Sequence, residues 1–139
     1  FARDVPRALR LGAYGDPSAV HPNVMAALAG LARSHDCTPL GYTHDWRHPR
    51  AAHLQGLCMA SVDTPDEMAA ARARGWRTFR VRTEHEMDTD NEVTCPATTR
   101  ERATCRSCRA CHGTASDLPS VSVVVHGAGT KHYLNRRSN

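Results

Sequence analysis

Residues 57–82 limit the fold of this chain more than any other stretch. They open with Leu57-Cys58-Met59-Ala60-Ser61-Val62, a near-continuous apolar run suited to a strand covered on both faces. Thr64 follows as a natural helix N-cap. Pro65 takes the first helical position, and Glu67 sits three residues after the cap to complete a capping box. Met68 and Ala71 supply a buried helix face, and Gly75 supplies a left-handed stop. Thr78 to Arg82 then reads as a second strand. Two strands joined by one helix run parallel, with a right-handed crossover. The unit predicts an α/β fold built on a mostly parallel sheet.

The rest of the chain extends that pattern. Residues 8–13 read as a strand entering the turn Tyr14-Gly15-Asp16-Pro17. A helix is predicted from Pro22, with Val24, Leu28 and Leu31 recurring at i, i+4 and i+7. Leu40 to Thr43 reads as a strand, residues 84–92 as an acidic loop, Val93-Thr94 as a short strand and Val121 to Val125 as the last one. Residues 95–113 show neither period, and residues 129–139 form a polar, basic tail expected to fray. With 139 residues and only 5% aromatics, residues 1–139 are predicted to make one domain with a thin core of Ala, Val and Leu. Each strand ends in a polar or reactive cluster, and in parallel α/β folds ligands bind at the carboxyl ends of the strands. Asp16, His44, Asp45 and His126 are therefore the rim candidates for acid–base work or ligand contact.

Six cysteines are too many to be incidental. Cys95, Cys105, Cys108 and Cys111 fall within 17 positions, while Cys37 and Cys58 stand alone. A disulfide scaffold would spread its cysteines, so the cluster reads as a metal-ligand set in a reducing compartment. Cys105-x2-Cys108-x2-Cys111 with a remote Cys95-Pro96 is close to the ligand spacing of bacterial four-iron ferredoxins, although here the Cys-Pro precedes the triplet. Zinc (Zn2+) is the competing metal, but its usual pair of separate Cys-x2-Cys knuckles would here overlap at Cys108. Cys108-Arg-Ala-Cys111-His112 also matches the covalent haem motif, a reading that leaves Cys95 and Cys105 idle.

Composition excludes several classes. A 40% hydrophobic and 23% charged content, with a mean hydropathy of -0.52, rules out a collagen-like or wholly disordered chain. No apolar run approaches the roughly 20 residues of a spanning helix, so no membrane role is expected. The net charge of +4 permits a nucleic-acid partner, and Arg100, Arg102, Arg106 and Arg109 make residues 100–109 the candidate contact. Of 18 basic residues only Lys131 is not Arg, a bias that a GC-rich genome also produces. No secretory leader is read at Phe1, and a start lacking Met leaves room for a longer protein upstream. The expected location is the cytoplasm. No Gly-Lys-Ser/Thr phosphate loop, Gly-x-Ser-x-Gly elbow or His-Glu-x-x-His helix is present.

Leu11-Gly12-Ala13-Tyr14-Gly15-Asp16-Pro17, Gly41-Tyr42-Thr43-His44-Asp45-Trp46, Met59 to Thr64, Gly75-Trp76-Arg77, the four clustered cysteines and His126-Gly127 occur in that order. Together they resemble a group of uncharacterised proteins carried by bacteriophages and other mobile elements, over roughly residues 8 to 127. The resemblance implies a host bacterial cytoplasm and no particular activity. More loosely, the layout is similar to the later part of a radical-SAM partial barrel. That likeness implies that Gly15-Asp16-Pro17 stands where a Gly-Glu-Pro turn helps hold S-adenosylmethionine, and that the clustered cysteines hold an auxiliary 4Fe-4S cluster. The superfamily's Cys-x3-Cys-x2-Cys motif is absent from the chain. The expected function is a metal-binding protein, iron–sulfur or zinc, as part of a radical-SAM-like enzyme. The alternatives are a zinc-stabilised, Arg-rich nucleic-acid module and a domain that zinc merely staples. Oligomeric state is not legible.

Overall fold

A computed structural model describes residues 8–86, 90–113 and 118–137. The opening residues 1–7, three positions of the expected acidic loop (87–89) and the last two of the expected tail (138–139) lie outside the described residues.

Among the described residues, seven short strands, all parallel to their neighbours, carry the fold. They are β1 (Ala8–Arg10), β2 (Thr38–Leu40), β3 (Tyr42–Thr43), β4 (Met59–Val62), β5 (Thr78–Arg82), β6 (Glu92–Thr94) and β7 (Ser120–Val124). One two-stranded sheet pairs β1 with β2, and a five-stranded sheet runs β3-β4-β5-β7-β6. Strands β2 and β3 are one line of chain divided at Gly41, whose carbonyl accepts from Met59 N at 2.9 Å. The α/β class with a parallel sheet is thus as the sequence predicts. Within each sheet, β1-β2 and β3-β4-β5 follow chain order. The last strand then inserts between β5 and β6, a step that local sequence does not signal.

Helix α2 (Pro65–Ala73) forms as its capping signals require. The Glu67 amide donates to Thr64 Oγ1 at 3.1 Å, and the Glu67 carboxylate accepts from the Asp63 amide at 2.8 Å. Gly75 closes the helix at a φ of +81°. Met68 and Ala71 pack into a core that includes Met25, Trp46, Ala51, Leu54, Ala60, Val62 and Trp76. Burial of each large apolar side chain in that core contributes about 1.5–3 kcal/mol. A 3-10 turn, Pro49–Leu54, brings in Ala51 and Leu54 from a stretch whose polar residues hide it in the sequence.

Three expectations change. Helix α1 (Pro22–Ser34) forms, but Met25, Ala29 and Ala32 are its buried residues. Val24, Leu28 and Leu31 stay 52%, 40% and 58% exposed. Two small alanines let the helix backbone approach the layer beneath, so its inward face is one position round from the most apolar stripe. The basic tail folds as helix α5 (Thr130–Arg137), because Tyr133 is buried and its hydroxyl donates to Val81 O at 2.7 Å. The aperiodic cysteine stretch contains two single-turn helices, α3 (Pro96–Thr99) and α4 (Cys105–Cys108).

Candidate functional site

Parallel strands place their carboxyl ends on one edge, and the rim candidates there divide into two groups. The first is a knot of oxygen ligands at the end of β3. Asp16 Oδ1 accepts from Thr43 Oγ1 at 2.6 Å and from the Ser18 amide at 2.9 Å, and Oδ2 accepts from the His44 amide at 2.7 Å. Ser18 Oγ and Arg50 Nε both donate to Asp45 Oδ2, at 2.7 and 2.6 Å. Burial alone would raise the Asp16 carboxyl; the bonds from Thr43, Ser18 and His44 outweigh it and hold the group below the usual carboxylate range. The His44 ring lies 3.5 Å from Asp16 and is otherwise exposed. Asp16, His44 and Asp45 therefore do meet. Their bonds fasten the Gly15-Asp16-Pro17 turn to β3, with both Asp16 oxygens engaged by the chain's own donors.

His126 belongs to the second group. Its Nδ1 lies 2.8 Å from Val124 O, and its ring lines a cavity of about 490 Å3 together with Cys95, Cys105 and Cys111. The sheet supplies apolar lining through Phe79 and Val81 of β5 and Val123 of β7, side chains that share a face by strand alternation. Tyr42 and Phe79 stack there, centroids 4.7 Å apart and planes 12° apart. The Arg10 guanidinium lies 4.9 Å from the centre of the Tyr42 ring and donates to its hydroxyl at 2.6 Å. Neither Arg10, Tyr42 nor Phe79 is marked by the sequence as a site residue. The alternation of Thr78 to Arg82 contains the signal but not which face meets the cavity.

Three stretches of chain carry the clustered cysteines. Cys95 continues β6, its amide bonded to Ser122 O at 2.7 Å. Cys105 and Cys108 are the ends of α4, started by a Thr104–Ser107 capping box and stopped by Arg109 in the left-handed region. Cys111 lies further on, its carbonyl accepting from Gly41 N at 3.2 Å. Burial first, and then the neighbouring Cys95, Cys105 and Cys108, push the Cys111 thiol up to about 12 against the opposing Arg10. All six cysteines are free thiols. Among the described residues, no three His, Cys, Asp or Glu side chains stand in metal-holding geometry. By chemistry alone, thiolates are the donors that soft cations take.

Cys58 is separate. It is buried beside β4, and burial lifts its thiol to about 12, the state of a small inert hydrophobe. Among the described residues, no helix is long and apolar enough to cross a membrane.

An all-parallel α/β sheet with a thiol-lined cavity over one face is the class that fold and site define. No family model, no curated protein and no solved structure matches the chain.

Proposed function

We propose that this chain is a thiolate metal protein in which Cys95, Cys105, Cys108 and Cys111 hold an iron–sulfur cluster that opens on a small-molecule cavity. The observation that carries the reading is the shared wall: three of the four thiols line the same cavity as Tyr42, Phe79 and His126. A metal that only staples a fold sits in a closed shell, whereas one that meets a ligand keeps an open side. The Cys-x2-Cys-x2-Cys run favours iron–sulfur over zinc, and six free thiols suit a reducing cytoplasm. When bound, the cluster supplies electron transfer or Lewis acidity. The chain's residues supply the thiolates, the apolar walls that exclude water and the Arg10 cation that offsets thiolate charge. S-adenosylmethionine rests only on the resemblance of the Gly15-Asp16-Pro17 turn, which does not line this cavity.

Anaerobic purification with iron, sulfide and zinc analysis tests the proposal. The expected result is about four irons and four sulfides per chain with a broad brown absorption. Cys95→Ser and Cys108→Ser should each lose most of it. Folded protein free of metal, or variants that hold as much as the parent, would overturn the reading. One zinc per chain and a colourless sample would replace the cluster with zinc.

The second reading, a nucleic-acid contact through residues 100–109, is favoured by the exposure of Arg100, Arg102 and Arg106. It predicts RNA or DNA affinity that falls steeply with salt and weakens in the Arg106→Ala/Arg109→Ala double variant.

A further inference from the structure

We propose that Arg77 is the positioning residue of the thiol cluster, setting Cys111 from beneath. Its purpose rests on the thiolate reading; its geometry does not. Arg77 stands at the foot of β5, next to the buried Trp76, and is only 4% exposed. Its Nη1 donates to Ala110 O at 3.0 Å and also to His112 O, while Nη2 donates to Pro119 O at 2.6 Å. Gly41 N holds the carbonyl between the first two, that of Cys111. Three successive carbonyls, 110 to 112, are therefore gripped by groups of the sheet layer, and few backbone dihedrals near Cys111 remain free to turn. Cys95 is set by the β6–β7 ladder. Cys105 and Cys108, by contrast, sit on α4, whose capping bonds are internal to residues 104–107.

The chemistry explains why an arginine is used. Several carbonyl oxygens converging on one partly buried spot concentrate partial negative charge that needs donors. A guanidinium presents its donors in a fixed planar fork and stays charged when buried; an ammonium is a point charge that loses its proton more readily there. Groups that orient a metal ligand through its surroundings typically change metal affinity by about 10–100-fold when removed.

The test compares Arg77→Gln and Arg77→Lys with the parent and with Met68→Ala, a destabilising control in α2 on the other side of the sheet. Metal content, absorption spectrum and the rate of metal extraction by a chelator are read on the full chain, with melting temperature alongside. Arg77→Gln should release metal about 10–100-fold faster, Arg77→Lys by an intermediate factor, and Met68→Ala at the parental rate despite its lower melting temperature. If Arg77→Gln fails to fold, Arg77→Lys carries the comparison. A second arm uses metal-free protein and measures alkylation of each cysteine by iodoacetamide and peptide mass analysis. Cys111 should react several-fold faster in the Arg77 variants, with Cys105 unchanged. Equal release rates at matched stability, or an unchanged Cys111 alkylation rate, would overturn the positioning role. A parent that takes up no metal would overturn the thiolate reading alone, and the alkylation arm would still decide on Arg77.

Discussion

Helices α2 and α4 begin alike and are held differently. Each starts at a threonine N-cap whose hydroxyl accepts from the third helical amide: Thr64 from Glu67, Thr104 from Ser107. In each, the third residue's side chain reaches back to the backbone amides before it. Yet α2 runs nine residues and buries Met68 and Ala71, whereas α4 runs four and buries none. The difference teaches that capping chooses where a helix starts, and apolar burial decides whether it continues. A single turn makes too few hydrogen bonds to offset the entropy of nucleation. The cysteine segment must therefore be ordered from outside itself, by Arg77, by Gly113 and, on the reading proposed, by metal.

The largest effect should come from Gly113, where the segment meets the sheet. A Cβ there would stand 2.7 Å from Cys58 N and 2.8 Å from Leu57 N, and would also meet Cys58 O, all of them backbone atoms. Backbone cannot swing aside as a side chain can. Gly113→Ala is expected to cost about 1–3 kcal/mol in denaturant unfolding. It should also speed alkylation of the part-buried Cys95, Cys108 and Cys111 while residues 59–82 keep their hydrogen-exchange protection. Unchanged thiol exposure would show that the segment is held elsewhere.

Acid should loosen the other region first. The carboxyls of Asp16, Glu67 and Glu86 are held below their usual ranges: burial would raise each, but hydrogen bonds outweigh it. The partners are Thr43, Ser18 and His44 for Asp16, Asp63 and Arg47 for Glu67, and Thr83 and Arg137 for Glu86. A depressed carboxyl contributes stability that is complete above its unfolded value, about 4. That stability is lost as pH falls through the lower folded value. Stability should thus hold from neutrality to about pH 5 and decline below about pH 4. Amide exchange in α2, whose cap uses Glu67, should quicken before the sheet opens. A flat profile to pH 2 would mean that these bonds contribute nothing.

The smallest effect sharpens the comparison most directly. Thr64→Ala should cost about 1 kcal/mol of global stability, the usual worth of an N-cap. Thr104→Ala should leave the unfolding midpoint within a few tenths of a kcal/mol, because no buried face depends on α4. Its effect should appear instead as faster exchange of the amides of residues 105–108. Equal midpoints for the two variants would erase the distinction between the helices.

Much of this is legible in the sequence. The strand–helix–strand unit of residues 57–82 and the start of α1 at Pro22 follow from local rules of capping and period. Asp16, His44 and Asp45 do gather at one strand end, as parallel topology requires. Asp16 illustrates the limit, since the donors that engage it include Thr43 and His44, 27 and 28 residues away. Glu92 shows the same in the sheet. An acidic-loop residue by composition, it opens β6 and grips Arg80 through two bonds, of 2.8 and 2.9 Å. That pair buries the arginine face of β5 and turns Phe79 and Val81 to the thiol cavity.

The sequence by itself determined where α1 begins, where α2 begins and ends, that the strands run parallel, and that four cysteines lie close along the chain. Those properties depend on dihedral preferences and on neighbours within a few residues. Only the tertiary structure decided which side of α1 and of β5 faces inward, why a basic tail folds around Tyr133, and how Arg77 comes to lie under Cys111. Each of those choices is made by a partner distant in sequence, and periodicity specifies that an element has two faces without naming the surface either will meet.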